Sequence, residues 1–265
     1  MTDYLALAKL AALKAGKIHK KYFCRNPRIK TKSSTFDLLT VADTQAERVV
    51  VSLIRKYYPQ HNFLAEEFRY RKTGSEYTWI IDPLDGTNNF ASGLPIFCAS
   101  VALMFRNEII AAAVYDVTRN ELFYAQKYRG AFLNGKRISV NSASELKKSL
   151  LITGIYYDRG KKMEQTLDTI KDFLYRHVLD VRRLGAAALD LCYVACGRAA
   201  GFWEFELSPW DFAAGKLIVE EAGGMVTGSL EETVPLTKKY FIVASNTKIH
   251  RKMLAIINKK VARKL

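Results

Sequence analysis

Two aspartates lie three residues apart in the segment Asp82-Pro83-Leu84-Asp85-Gly86-Thr87, directly after the apolar run Trp79-Ile80-Ile81. Proline and glycine shape such a segment into a turn at a strand end, so both carboxylates can point into one small volume. Oxygen ligands of this kind suit Mg²⁺, Mn²⁺ or Ca²⁺ rather than zinc or copper. The segment therefore indicates metal-assisted chemistry on a phosphate, although Asp-Pro-x-Asp-Gly is also an ordinary turn sequence.

Further acids lie elsewhere in the chain. Glu66 and Glu67 follow an apolar pair, and Glu66 is sixteen residues before Asp82. Asp211 lies far downstream in Ser208-Pro209-Trp210-Asp211, which has the signature of a helix start, with a serine cap, a proline and then an acid. Asp211 therefore has two interpretations, as a helix-capping acid and as a group that faces a pocket.

Together these segments resemble the inositol monophosphatase family of Mg²⁺-dependent, lithium-sensitive phosphatases, of the bacterial or archaeal type. The resemblance is carried by the ordered segments Lys32–Asp43, Glu66-Glu67, Asp82–Thr87, Gly185–Ala188 with Glu204, and Trp210–Gly215 followed by Glu221–Gly224. The set keeps the family's order and spacing over nearly the whole chain. Such a combination is far more specific than any one of its motifs.

The resemblance implies a mixed α/β fold, a layered αβαβα sandwich of the inositol monophosphatase and fructose-1,6-bisphosphatase type. We expect a single catalytic domain over residues 1–265, made of two packed halves at approximately 1–140 and 141–265. A homodimer is also implied by the resemblance, and nothing else in the residues indicates one.

The resemblance further implies the metal ligands. Glu66, Asp82 and the Leu84 carbonyl would hold a first Mg²⁺. Asp82, Asp85 and Asp211 would hold a second, with Asp82 bridging the two. A third, weaker Mg²⁺ near Glu66 is implied as well, and Mn²⁺ is expected to substitute for Mg²⁺.

Two further groups are implied to act on the reactants. Thr87 would pair with Asp43 to orient the attacking water and receive its proton, beside Glu66. The Gly86 and Thr87 amides would contact phosphate oxygens. The resemblance thus implies in-line attack by metal-activated water without a phospho-enzyme. No cysteine or histidine accompanies these motifs in a nucleophile arrangement, which agrees with this mechanism.

Substrate contacts are implied for Gly185, Ala186, Glu204 and Asp85, which resemble the part of the family that contacts the inositol ring. Ala186 stands where serine or threonine is usual, so a side-chain hydroxyl is missing there. Lys32 is either a residue that helps to close the site or an ordinary basic loop residue. The expected substrate is a small phosphorylated polyol or sugar. Myo-inositol 1-phosphate is the first candidate, with fructose 1,6-bisphosphate and 3′-phosphoadenosine 5′-phosphate as alternatives.

Three arginines are candidates for holding a second phosphate. Arg182 and Arg183 precede Gly185, and Arg159 lies in a tyrosine-rich turn. Guanidinium groups bind phosphate in a bidentate manner, which would favour a bisphosphate substrate. The alternative is that all three are surface arginines without a ligand.

Composition restricts the class of protein. The chain has 265 residues, 49% of them apolar, which is enough for a large core. No apolar run approaches the ~20 residues that span a bilayer, and the N-terminus lacks a signal-peptide pattern. We therefore expect a soluble cytoplasmic protein without a membrane partner. The four cysteines are interpreted as small apolar side chains rather than as a disulfide framework.

The net charge of +15 is concentrated at the two ends of the chain. Residues 9–32 contain nine Lys and Arg and no acid, and residues 248–265 contain seven and no acid. The favoured interpretation is two amphipathic helices with solvated basic faces. The alternative, from another functional class, is a regulatory protein that binds RNA or a transcription complex through these ends.

The apolar spacing predicts the elements that position these residues. A first helix is predicted over 3–23, and a second helix after Asp43. Asp43 therefore has an alternative, structural interpretation as the N-cap of this second helix. The stretch from Trp79 to Leu133 favours strands, and Asn134-Gly135 is typical of a hairpin turn. Beyond it, the pattern predicts helices at about 163–176, 185–197, 209–222 and 247–262, alternating with strands near 179–182, 201–205 and 240–244.

Overall fold

The computed structural model describes residues 3–24, 29–31, 38–155 and 159–261. Its helices are Tyr4–Tyr22 (α1), Val41–Tyr57 (α2), Thr87–Ala91 (α3), Lys161–Tyr175 (α4), Ala187–Ala195 (α5), Pro209–Glu221 (α6) and His250–Val261 (α7). A 3₁₀ turn covers Leu146–Lys148. Within these ranges, no helix is both long enough and apolar enough to span a membrane.

The strands form three sheets. They are Ile29–Thr31 (β1), Leu38–Thr40 (β2), Asn62–Ala65 (β3), Tyr77–Asp85 (β4), Cys98–Phe105 (β5), Glu108–Asp116 (β6), Glu121–Gln126 (β7), Gly130–Leu133 (β8), Lys136–Arg137 (β9), Leu150–Thr153 (β10), Asp180–Arg182 (β11), Gly201–Leu207 (β12), Met225–Thr227 (β13) and Tyr240–Ser245 (β14). β1 pairs with β2, a seven-stranded sheet has the order β3 to β9, and a five-stranded sheet has the order β11-β10-β12-β14-β13.

Successive side chains along a strand point to opposite faces of the sheet, so each of the two larger sheets packs against a helix layer on both sides. On β4, Trp79 and Ile81 pack with α1 and α2, whereas Ile80 points to the opposite face and packs with α5 and α6. On β12, Phe202 faces the α5–α6 layer and Trp203 packs with α4 and α7. The layers therefore run α1/α2, seven-stranded sheet, α5/α6, five-stranded sheet and α4/α7. This order, with the close structural matches reported below, confirms the expected αβαβα sandwich.

Most predicted elements are present, with shifted ends. The helix predicted at 185–197 begins at Ala187, because Gly185 has a φ of +88° that a helix cannot include. The helix predicted at 247–262 begins at His250, because Thr247 has a φ of +69°. Asn134-Gly135 forms the two-residue loop between β8 and β9, with φ values of +48° and +85°, as its sequence predicts.

The interpretation of Asp43 as the N-cap of α2 is wrong. Thr40 is the cap, and its Oγ1 accepts a hydrogen bond from the Ala42 amide at 3.1 Å. Asp43 is the third helical residue, and its Oδ2 accepts from the Thr40 amide at 2.8 Å, which completes a capping box. α6 repeats the arrangement with Ser208 and Asp211, as predicted.

α1 contacts the back of the Asp-Pro-Leu-Asp turn through a buried histidine. Nε2 of His19 lies 2.7 Å from the Pro83 carbonyl oxygen, so Nε2 carries the proton and donates it. The ring also makes edge contacts with Phe90 and Phe97. Complete burial lowers the pKa of His19 to about 4, although the Pro83 hydrogen bond and the charge of Asp116 act in the opposite direction.

We expect His19 to make folding sensitive to acid. Because its folded-state pKa lies below the unfolded value of about 6.5, the stability it contributes is present above that pH and is lost as the pH falls toward 4. The loss should reach about 3 kcal/mol. Urea unfolding between pH 7.5 and 4.5 should show a shallower pH dependence for His19→Gln than for the unsubstituted protein. Parallel curves would contradict this role.

Candidate active site

β4 ends in the turn that carries Asp82 and Asp85. The pairing of β4 with β5 shifts register between these residues, so Asp82 lies opposite Ser100 and Asp85 lies opposite Cys98. Oδ1 of Asp82 accepts the Leu84 amide at 3.0 Å. An irregularity of this kind re-aims side chains at a strand end, which places both aspartates at one edge of the sheet.

Gly86 allows this turn to pack against the second half of the chain. Its φ is +90°, and a Cβ at this position would lie 2.8 Å from the Ile96 carbonyl oxygen and 3.2 Å from the Ala186 Cβ. Only glycine satisfies both requirements. The same close approach brings the buried Ala186 beside the aspartate turn, so these two predicted substrate-binding segments do meet.

Asp85 is anchored at the N-terminus of α5. Its Oδ2 accepts a hydrogen bond from the Ala188 amide at 2.7 Å, and the Ala187 amide also contributes. The pKa of Asp85 is raised to about 7, mainly by burial and further by the charge of Glu66, against the lowering effect of these amides. The carboxylate is therefore held in place but poorly solvated.

Asp211 approaches from α6. Its Oδ2 accepts the Ser208 amide at 2.7 Å, so the capping role and the site-facing role belong to one carboxylate. Burial raises the pKa of Asp211 well above its usual value, and the charges of Glu66 and Asp85 raise it further. Residues 66, 85 and 211, distant in sequence, are thus electrostatic neighbours; we call Glu66, Asp82, Asp85 and Asp211 the acidic cluster.

Thr87 and Asp43 lie in hydrogen-bond contact beside this cluster. Oγ1 of Thr87 lies 2.8 Å from Oδ1 of Asp43 and 3.0 Å from the Leu84 carbonyl oxygen. Oδ2 of Asp43 is held by the Thr40 amide and hydroxyl. Burial raises the pKa of Asp43 to about 6, so it is mostly ionised at neutral pH and able to accept a proton.

Glu47 holds the segment that carries Glu66, and the sequence analysis missed it. This buried residue of α2 accepts hydrogen bonds from the Glu67 amide at 2.8 Å, the Phe68 amide at 2.9 Å and the Tyr70 hydroxyl at 2.9 Å. The signal was present in the chain, because an acid four residues after Asp43 falls on the same, apolar face of the helix. Glu47 thereby determines the path of the chain directly after Glu66.

Glu204 and Asp190 are two more buried carboxyls near Asp85. The pKa of Glu204 is raised to about 8, mainly by burial and in part by the nearby charge of Asp85. Asp190, which the sequence analysis also missed, is buried on α5, and its Oδ1 has no hydrogen-bond partner in the described part of the chain. Asn89 of α3 contacts the segment that precedes α5, because its Nδ2 donates a hydrogen bond to the Leu184 carbonyl at 2.8 Å.

The three candidate arginines occupy different environments. The Arg183 guanidinium lies over Gly185, with Nη1 3.1 Å from where a Gly185 Cβ would be, and its charge lowers the pKa values of Glu204 and Asp190. Arg182 instead forms an ion pair with Asp180 on the surface. Arg159 is exposed immediately before α4. Lys32 lies outside the described residues.

The donors of the acidic cluster are suited in their chemistry to a hard divalent cation. Within the described residues, no three His, Cys, Asp or Glu side chains are gathered closely enough to hold a metal ion. The cluster nonetheless consists of carboxylate oxygens, and the charges of Glu66 and Asp85 disfavour ionisation of Asp211. A divalent cation would relieve this repulsion, so the residue types fit the implied metal.

Comparison with known proteins shows which family the whole chain is similar to. The model of the inositol monophosphatase family matches residues 1–262. The chain is 42% identical over 260 residues to the Nus factor SuhB of Escherichia coli, covering 96% of each chain. It is 40% identical to an inositol-1-monophosphatase of Synechocystis, covering 96% of this chain and 88% of the relative. The solved Thermotoga maritima IMPase is similar with a TM-score of 0.90 at 35% identity, covering 99% of both chains.

We expect Glu47→Gln to loosen the segment after Glu66. The substituted amide has one acceptor oxygen instead of two and turns an N–H group toward the Glu67 or Phe68 amide, so hydrogen bonds to a charged group are lost. Urea unfolding should show a loss of about 2–4 kcal/mol, and hydrogen exchange should accelerate at residues 66–70. Tyr70→Phe, which removes one of the three donors, is the matched control with a smaller effect. Unchanged exchange in Glu47→Gln would refute the anchoring role.

Proposed function

The chain belongs to the inositol monophosphatase family, and we propose that it is a Mg²⁺-dependent phosphatase that hydrolyses myo-inositol 1-phosphate. The observation that carries the proposal is the acidic cluster beside the Thr87–Asp43 pair. The charge of Glu66, at the end of β3, acts on Asp85 of β4 and Asp211 of α6 there, next to a hydroxyl that already contacts a base.

Each residue has a role in the proposed reaction. Glu66, Asp82, Asp85, Asp211 and the Leu84 carbonyl would hold two Mg²⁺ ions, with a third, weaker ion near Glu66 and Mn²⁺ as a substitute. When bound, the ions supply positive charge for the phosphate oxygens and acidify water. The Gly86 and Thr87 amides orient the phosphate.

The proton of the attacking water follows a route that the chain provides. The Thr87 hydroxyl, 2.8 Å from Asp43, accepts this proton while passing its own to the Asp43 carboxylate. The water oxygen forms a bond to phosphorus as the bond from phosphorus to the ester oxygen breaks on the opposite side, and the departing oxygen takes a proton from solvent water to give the alcohol. Asp43 is suited to this step, because its pKa of about 6 lies close to neutral pH.

The polyol part of the substrate would lie against Glu204, Gly185 and Ala186. Ala186 is buried and supplies no hydroxyl, so Glu204 becomes the main acceptor for substrate hydroxyls. Arg183, close to Glu204, would accommodate a second phosphate if the substrate were fructose 1,6-bisphosphate. 3′-Phosphoadenosine 5′-phosphate remains the third candidate.

Loss of one cluster carboxylate should abolish turnover without unfolding the protein. Asp85→Asn and Asp211→Asn keep an acceptor for the Ala188 and Ser208 amides but remove a cation ligand. We expect phosphate release from myo-inositol 1-phosphate with Mg²⁺ to fall by at least about 10²-fold. Circular dichroism should show an intact fold.

Asp180→Asn removes an exposed acid that pairs with Arg182 and is the matched control, with turnover unchanged. Retained turnover in both cluster variants would refute the metal assignment. No phosphate release from any of the three substrates by the unsubstituted protein would refute the phosphatase proposal.

A second candidate function is association with a transcription complex. It is favoured by the 42% identity to the Escherichia coli Nus factor and by the basic face of α1, where Lys14, Lys17, Lys20 and Lys21 are exposed opposite its buried side. Such a face would attract RNA in a salt-dependent manner. Both functions are compatible in one molecule, because the basic face is formed by exposed lysines of α1, whereas the acidic cluster lies on β4, α6 and the end of β3.

Charge reversal separates this function from catalysis. Lys17→Glu, Lys20→Glu and Lys21→Glu together should weaken binding to a structured RNA at least about tenfold and flatten its salt dependence. Asp85→Asn should leave RNA binding unchanged. Fluorescence anisotropy at several salt concentrations measures both. Affinity that is insensitive to salt and to the three reversals would exclude α1 as an RNA-binding surface.

A further inference from the structure

Gly154 lies directly after β10, at the end of a strand pair that carries Glu204. β10 runs parallel to β12, with Thr153 opposite Trp203, so Gly154 comes next to Glu204. Oγ1 of Thr153 donates to the Trp203 carbonyl at 2.8 Å, which ties the two strand ends together. The backbone around Gly154 is therefore well fixed.

The Glu204 carboxyl occupies the space that a side chain at position 154 would fill. A Cβ built on Gly154 would lie 1.9 Å from Oε2, 2.2 Å from Cδ and 2.5 Å from Oε1 of Glu204. Real Cβ atoms essentially never come within 3.0 Å of a heavy atom outside their own residue and its chain neighbours. Gly154 is not one of the glycines with positive φ, so the need for glycine here arises from this contact rather than from the backbone conformation.

The atoms that a Cβ at position 154 would contact belong to the carboxyl group of Glu204, which can move. Since the strands are paired and the carboxyl is the far end of a flexible side chain, any side chain at position 154 would displace the carboxyl by roughly an ångström or more. A hydrogen bond from a ligand to the Glu204 carboxylate would be lost after such a displacement, because hydrogen bonds weaken steeply outside their narrow distance range.

The Glu204 carboxyl is also available to a ligand. It is 9% exposed, and no group in the described ranges donates a hydrogen bond to it. Asp85 of the aspartate turn and Arg183 are both close enough for their charges to act on Glu204, in opposite directions. A buried acceptor without a donor is unfavourable, and substrate hydroxyls would supply the missing donors.

We infer that Gly154 is a specificity-determining residue, whose missing side chain sets the position at which Glu204 accepts hydroxyls of a polyol phosphate. This inference rests on the proposed phosphatase function and deepens it, because it assigns recognition of the alcohol part of the substrate to a residue that has no functional group of its own.

The test compares a substrate that carries hydroxyls with one that lacks them. For Gly154→Ala we expect KM for myo-inositol 1-phosphate to rise about 10- to 100-fold, the effect of losing a hydrogen bond to a charged group. kcat/KM for p-nitrophenyl phosphate should stay within about twofold, because the phosphate site is untouched. Gly74→Ala is the matched control, since nothing lies within 4 Å of a Cβ at that position.

A double-mutant cycle shows whether Gly154 acts through Glu204. In a Glu204→Ala background, Gly154→Ala should change neither KM for myo-inositol 1-phosphate nor the melting temperature, because the displaced group is gone. If Gly154→Ala alone fails to fold, recovery of the fold in the double variant supports the inference, and failure of both overturns it. Equal losses on both substrates, or a full additional loss in the Glu204→Ala background, would also overturn it.

A protein that is not a phosphatase would give a different result in these experiments. Unsubstituted protein that releases phosphate from neither substrate refutes the phosphatase, and the specificity role with it. The melting temperatures of the cycle would still report whether the carboxyl and the position-154 side chain compete for one space.

Discussion

The site depends on keeping several carboxyl groups buried close together although their negative charges repel. Burial and mutual charge raise the pKa values of Asp85, Glu204 and Asp211. Two of these acids have backbone amides as partners, Ala188 for Asp85 and Ser208 for Asp211. The fold supplies these amides at the right places, so the repulsion is tolerated at fixed positions rather than relieved by side-chain movement.

The same carboxylates therefore serve structure and chemistry. Asp43 and Asp211 are each the third residue of a helix and complete a capping box with Thr40 and Ser208. Glu47 has a similar role in the segment after Glu66. It accepts hydrogen bonds from the Glu67 and Phe68 amides, which would otherwise lack partners. The proposed ligand positions are consequently supported by a second set of contacts, made largely by the backbone.

Sequence reasoning succeeded where a signal is local. The Ser208–Asp211 helix start and the Asn134-Gly135 hairpin follow from short-range chemistry, and both are confirmed. It failed at Asp43, because threonine and aspartate are both good N-cap residues, and Thr40, three residues earlier, is the actual cap. Gly154 and the partners of Glu47 were not predictable, since they arise from contacts between segments that only the layered packing brings together. The layer order itself came from family resemblance and not from periodicity.

The hydrogen bond from the Ala188 amide of α5 to Asp85 joins the region that forms the seven-stranded sheet to the region that forms the five-stranded sheet. Residues 62–137 build the seven-stranded sheet with Asp82 and Asp85, whereas Glu204 and Asp211 belong to the region from 150 onward. A chain cleaved between these regions would leave neither fragment with a full set of acids. Phosphate release would then serve as a direct reporter of fragment complementation, because it requires the two pieces to dock in register.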